Sequence, residues 1–218
     1  MYLEKMVAAR LVFGSFLVLA WAAPAAAQGC GLSGAPAWNE SVRYVLPGCA
    51  AEFPSPGKRL LLRFAPDRAM SVDGVPVRLS GPRIEPPGMV SWSPRSDAFF
   101  VNDGEGSGMS STFRLFRVKG AAASEDKAVA KAAVSLYRRR KHCISSSADP
   151  NVWGFGWGGG GSKIYLLVQS TVHEPCGSPD QFISLVVRAA DGKVLETLSY
   201  AQTKARFGPE LPSSLFGK

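Results

Sequence analysis

The chain has 218 residues, is 46% hydrophobic and 19% charged, and carries a formal net charge of +8. That composition excludes a disordered polymer, and the length suits one domain with a real core, since chains of this size bury roughly 70% of their unfolded surface. The positive balance eases encounter with anions such as envelope phosphates, acidic polysaccharide or nucleic acid, and equally describes an ordinary basic surface.

Residues 1–27 read as a signal peptide. Lys5 and Arg10 give a positive start, an apolar run extends from Leu11 to Ala23, and Ala25, Ala26 and Ala27 offer the small side chains of a cleavage site before Gln28. The apolar run is shorter than the ~20 residues that span a bilayer, so no transmembrane segment is expected after cleavage. The compartment implied is periplasmic or extracellular. All four cysteines, Cys30, Cys49, Cys143 and Cys176, lie beyond the cleavage site. An even number in an oxidising compartment predicts two disulfides. Of the three pairings, Cys30–Cys49 and Cys143–Cys176 are favoured because each closes a local segment. A lipid-anchored Cys30 is disfavoured by Gln28, where such signals prefer a small or apolar residue.

Residues 28–57, rich in Gly and Pro, read as an irregular arm pinned by the first disulfide. A mainly β domain is expected over 58–200. Lys58 to Phe64 is an apolar run ending at Pro66, Asp73-Gly74 is a turn, and Val75 to Leu79 resumes an extended pattern in which Pro76 marks an edge. Met89 to Trp92 and Asp97 to Asn102 follow as strands about the turn Ser93-Pro94-Arg95-Ser96. Thr112 to Val118 alternates, with Phe113 and Leu115 against Arg114 and Arg117, which predicts one wet and one dry face.

One helix is predicted, over 124–141. Ser124 is the expected N-cap, with Glu125 and Asp126 in the first turn. Ala128, Val129, Ala132, Ala133, Leu136 and Tyr137 form its apolar stripe. Arg138, Arg139, Arg140 and Lys141 end it, either as a solvated turn favoured by the helix dipole or as an anion-binding patch. Gly154, Gly156 and Gly159 read as a loose loop in which Trp153, Phe155 and Trp157 pack on the core or form an aromatic platform. The strands Lys163 to Gln169, Gln181 to Arg188 and Lys193 to Leu198 follow, the last two joined by the Asp191-Gly192 hairpin. The tail 201–218 shows no period.

Trp92-Ser93-Pro94-Arg95-Ser96-Asp97-Ala98-Phe99-Phe100-Val101 resembles the W-S-P-D-G signature of periplasmic β-propeller blades, with Arg95-Ser96 replacing Asp-Gly. A second set of strands begins near Trp157. Two sets fall short of the four or more blades of a closed ring. The fold class expected is therefore mainly β (α+β), with blade-like antiparallel sheets packed together with one amphipathic helix and no closed propeller. The resemblance implies binding rather than catalysis and carries over no site residues.

Catalytic and cofactor patterns are poorly met. Gly154, Gly156 and Gly159 match G-x-G-x-x-G, but a strand follows where a dinucleotide site needs a helix, so no cofactor is expected. Ser124-x-x-Lys127 and Ser55-x-x-Lys58 match S-x-x-K without the K-T-G or S-D-N of penicillin-recognising enzymes. His142, Cys143, His173 and Cys176 could surround zinc, yet export favours the disulfide, and Asn102 to Gly106 reads as a plain turn rather than a calcium loop, so no metal is expected. The reading that results is a non-catalytic binding domain for an envelope protein or an anionic polymer, with no nucleic-acid partner. The alternative is a small secreted hydrolase using Asp97, Asp103 or Glu105, which would require carboxylates ~5–10 Å apart in one cleft.

Overall fold

Short alternating segments, separated by turns at Gly, Asp and Ser, give thirteen strands and two helices among residues 30–106, 110–141, 149–170 and 182–216, which the computed structural model describes. In chain order they are β1 (Arg43–Val45), β2 (Ala51–Pro54), β3 (Leu61–Phe64), β4 (Met70–Val72), β5 (Val75–Pro76), β6 (Gly88–Trp92), β7 (Ala98–Asp103), β8 (Thr112–Lys119), β9 (Ala122–Asp126), α1 (Ala128–Arg140), β10 (Asn151–Gly158), β11 (Lys163–Gln169), β12 (Ile183–Arg188), β13 (Val194–Leu198) and α2 (Tyr200–Phe207).

All three sheets are antiparallel. The first runs β2-β3-β4-β5, the central one β1-β6-β7-β8-β9, and the third β10-β11-β12-β13. Each therefore holds a four-stranded, sequence-ordered meander, and the fold is mainly β with blade-like sheets. The sheets stack because their apolar faces must cover one another. Phe53, Leu62, Phe64, Val90, Trp92, Phe99 and Phe116 fill the space between the first and central sheets. Phe100, Phe113, Leu115, Leu166 and Leu185 fill that between the central and third, where α1 inserts Val129, Ala133 and Tyr137. Phe155, Leu167 and Phe182 face outward from the third sheet and are covered by Phe207 of α2 and by Leu211 and Phe216 beyond it. The stack ends there rather than closing into a ring. Its other end is polar: Glu52 and Arg63 pair at 2.8 Å on the exposed face of the first sheet.

Several expectations change. The arm at 28–57 supplies β1 and β2, although its disulfide Cys30–Cys49 is present as expected. Beyond the Asp73-Gly74 turn only Val75–Pro76 is strand. The helix starts at Ala128, because Ser124, Glu125 and Asp126 lie in β9, paired with Arg117, Phe116 and Leu115. Strand β8 has no wet face: Phe113 and Leu115 enter one core, Phe116 the other, and Arg114 is buried. The glycine run is strand β10, not a loop. A Cβ on Gly154 would lie 2.7 Å from the Phe113 ring and 2.9 Å from that of Phe100, so a glycine lets this edge strand approach the central sheet. The tail folds α2, begun by a capping box in which Ser199 Oγ accepts from Gln202 N–H and Gln202 Oε1 accepts from Ser199 N–H. Cys143, Cys176, His142 and His173 lie outside the described residues, as does the segment 1–27.

Candidate functional site

Strand β8 carries Arg114 to the margin of the central sheet, where residues 80–85 cross it. The guanidinium is 4% exposed. It grips Glu125 of β9 with two bonds, Nε to Oε1 at 2.9 Å and Nη2 to Oε2 at 2.8 Å. Its Nη1 donates to Asp103 Oδ2 at 3.2 Å and to the Pro82 carbonyl at 2.8 Å. Glu125 Oε2 also accepts from the backbone and hydroxyl of Ser80, both at 2.8 Å. Asp103 Oδ1 accepts from Glu85 N–H at 2.9 Å and Glu105 N–H at 3.2 Å. Buried charge survives only with such saturation of its hydrogen bonds.

These contacts set the protonation. Burial opposes both charges, but the Arg114 and Ser80 hydrogen bonds overcome it and hold the Glu125 carboxyl below the usual carboxylate range. Arg114, likewise opposed by burial, is held above its ordinary value by Glu125 and Asp103. An acid catalyst needs its proton near neutral pH; Glu125 has surrendered it. The cluster is a clamp that fastens residues 80–85 to the central sheet.

The clamp forms the wall of a cleft of about 340 Å³. A groove of about 420 Å³ along α1 adjoins it, sharing Thr112, Glu125 and Lys127. One side of the groove is the helix face Lys127, Ala130, Lys131, Val134 and Ser135, and the other is Asp149, Pro150 and Val152. Lys127 donates to the Ser80 carbonyl at 2.9 Å. Asp149 is paired with Arg138 at 2.8 Å.

Of the candidate carboxylates, Asp103 and Glu105 share the cleft with Glu85 and Glu125, and Asp97 lies outside it. Asp97 and Asp103 flank β7 at opposite ends, ~20 Å apart by strand rise. Asp97 accepts from Ser93 Oγ at 2.7 Å and pairs with Arg95 at 2.9 Å. Glu105 accepts from the hydroxyls of Ser110 and Thr112. Ser124 is in a strand, and Ser55 Oγ accepts from Leu60 N–H in a turn, so neither sits as a helix-borne nucleophile beside its lysine. Phe155 is buried, Trp157 stacks on Phe100 at 5.6 Å and Trp153 packs on the outer core, so the aromatics form no exposed platform.

Arg138, Arg139, Arg140 and Lys141 do end α1, but successive helix residues turn by about 100°, which spreads the four around the axis. Arg138 turns to Asp149, and Arg139 and Arg140 are exposed. The groove's own cations, Lys127 and Lys131, escaped the sequence reading. Their spacing of four is the signal that was available. Among the described residues no helix is long and apolar enough to cross a membrane. No family model matches the chain, and no curated protein is significantly similar to it.

Proposed function

We propose that this chain is an exported envelope protein that binds a partner without transforming it. The observation that carries the reading is the state of the buried acids in the cleft wall: Arg114 is paired with both Glu125 and Asp103, and its bonds hold the Glu125 carboxyl below the usual carboxylate range, so these side chains are committed to internal contacts. The groove beside it is open, concave and bordered by cations, which suits recognition. Export is supported by the basic start and apolar run of residues 1–27 and by the Cys30–Cys49 bridge, which belongs to an oxidising compartment. The blade-like hairpin around Trp92, whose Nε1 donates to the Phe53 carbonyl at 2.8 Å, is in keeping with a scaffold for binding.

The test joins localisation with turnover. Expressed in a bacterium, the protein is expected in the periplasm or medium with its N-terminus at Gln28. It is expected to bind isolated envelope fragments saturably while leaving glycoside, ester and peptide substrates intact. Turnover of any of these substrates that is lost in a Glu105→Gln or Asp97→Asn variant would establish the hydrolase instead.

A further inference from the structure

Cations at the start of a helix oppose its dipole, and acids are the residues that stabilise that position. Helix α1 keeps one acid just before its start, Asp126, whose Oδ1 accepts from Ala128 N–H at 2.9 Å, and adds cations beside it. Its N-cap is Lys127, its first turn has no acid, and Lys131 follows one turn on. Neither lysine joins an ion pair among the described residues, and Lys127 has only the Ser80 carbonyl as partner. The two acids of the same groove are already engaged, Glu125 by Arg114, which it shares with Asp103, and Asp149 by Arg138, the two pairs each at 2.8 Å. The groove therefore presents two ammonium groups, one helical turn apart, that form no ion pair among the described residues.

We infer that this groove holds an acidic polysaccharide, its carboxylates laid against Lys127 and Lys131. The inference rests on the binding reading above and names the partner's chemistry. Competing anions fit the surface less well. A bilayer is flat and cannot follow cations set into a concave groove. Single-stranded nucleic acid requires aromatic rings on which bases stack, and the groove's one aromatic, Phe113, is 1% exposed. A peptide strand requires an open sheet edge. Here the β9 edge is taken by Arg78, and the β10 edge by Ser111 and Asn102. A sugar chain needs only charge and hydroxyl partners, and the Ser135 side chain supplies the latter one turn beyond Lys131.

Fluorescently labelled oligogalacturonate tests this by anisotropy. We expect saturable binding that weakens at least tenfold between 20 and 300 mM salt, since exposed charge pairs are screened. Binding should fall about fivefold in Lys131→Gln and tenfold or more in Lys127→Gln/Lys131→Gln, with unfolding midpoints unchanged. Arg59→Gln, a loss of charge in the β2–β3 connection equal to that of Lys131→Gln, should change it less than twofold, and the methyl-esterified oligomer should not bind. Equal weakening by Arg59→Gln, or binding only to anionic lipid vesicles, overturns the inference. An oligomer that stays intact and unbound overturns it while sparing the binding reading, whereas an oligomer that shortens overturns the binding reading itself.

Discussion

Two charged regions meet at Glu125 and behave oppositely. On one side Arg114, Glu125 and Asp103 are almost fully buried, and every charge has a partner of opposite sign. On the other, Lys127 and Lys131 line an open groove and form no ion pair among the described residues. Burial explains the difference. A charge withdrawn from water must be paired or it costs several kcal/mol, while a solvated ammonium can stay single. The paired region holds the fold; the unpaired one is the surface on which the proposed binding rests.

The contrast can be broken most forcefully from the buried side. Arg114→Met leaves two acids without their counter-ion, and we expect a loss of about 3–5 kcal/mol in urea unfolding. A loss below about 1 kcal/mol would mean that the clamp is dispensable. Asn102→Ala probes a neutral counterpart of that cluster. The Asn102 amide donates to the Gly154 carbonyl at 2.8 Å and accepts from its N–H at 2.7 Å, sealing the β10 edge. Its removal strands two buried backbone groups, and we expect about 2–3 kcal/mol of destabilisation by the same measurement.

Acid sharpens the comparison further. Glu125 holds its proton less tightly when folded than when unfolded, so its contribution is complete above the ordinary carboxyl value of ~4.3 and fades as pH falls through the folded value. Urea unfolding across pH 2–7 should show stability dropping at the acid end. Glu125→Gln should be less stable at neutral pH and show a flatter acid limb; an unchanged limb would remove Glu125 from the account. The smallest effect belongs to the groove. Lys131→Gln should shift stability by no more than about 0.5 kcal/mol, as an exposed charge does, and a larger shift would give that lysine a structural duty.

The strands of the β7–β8 pair and of β11 to β13 were legible because alternation and turn residues coincide there, as at Asp191-Gly192. Strand β10 was not, since its glycines answer to a neighbour, the Phe113 ring, that no local pattern reveals. Ser124, Glu125 and Asp126 carry sound helix-start signals and were misplaced by four residues. Arg114, eleven positions upstream of Glu125, claims that acid for a ladder instead. Helix α2 was missed in a tail read as aperiodic, although the capping box at Ser199 and Gln202 and the four-residue spacing of the buried Thr203 and Phe207 were signals for it. The groove was the hardest part to read. Its lysines are ordinary in sequence and become distinctive only once their neighbouring acids prove to be spoken for.

The most direct measurement compares wild type with Lys127→Gln/Lys131→Gln, recording urea unfolding and oligogalacturonate affinity on the same samples. The account predicts superimposable unfolding curves with affinity at least tenfold apart. Equal affinities, or a loss of affinity that merely follows a loss of stability, would contradict it.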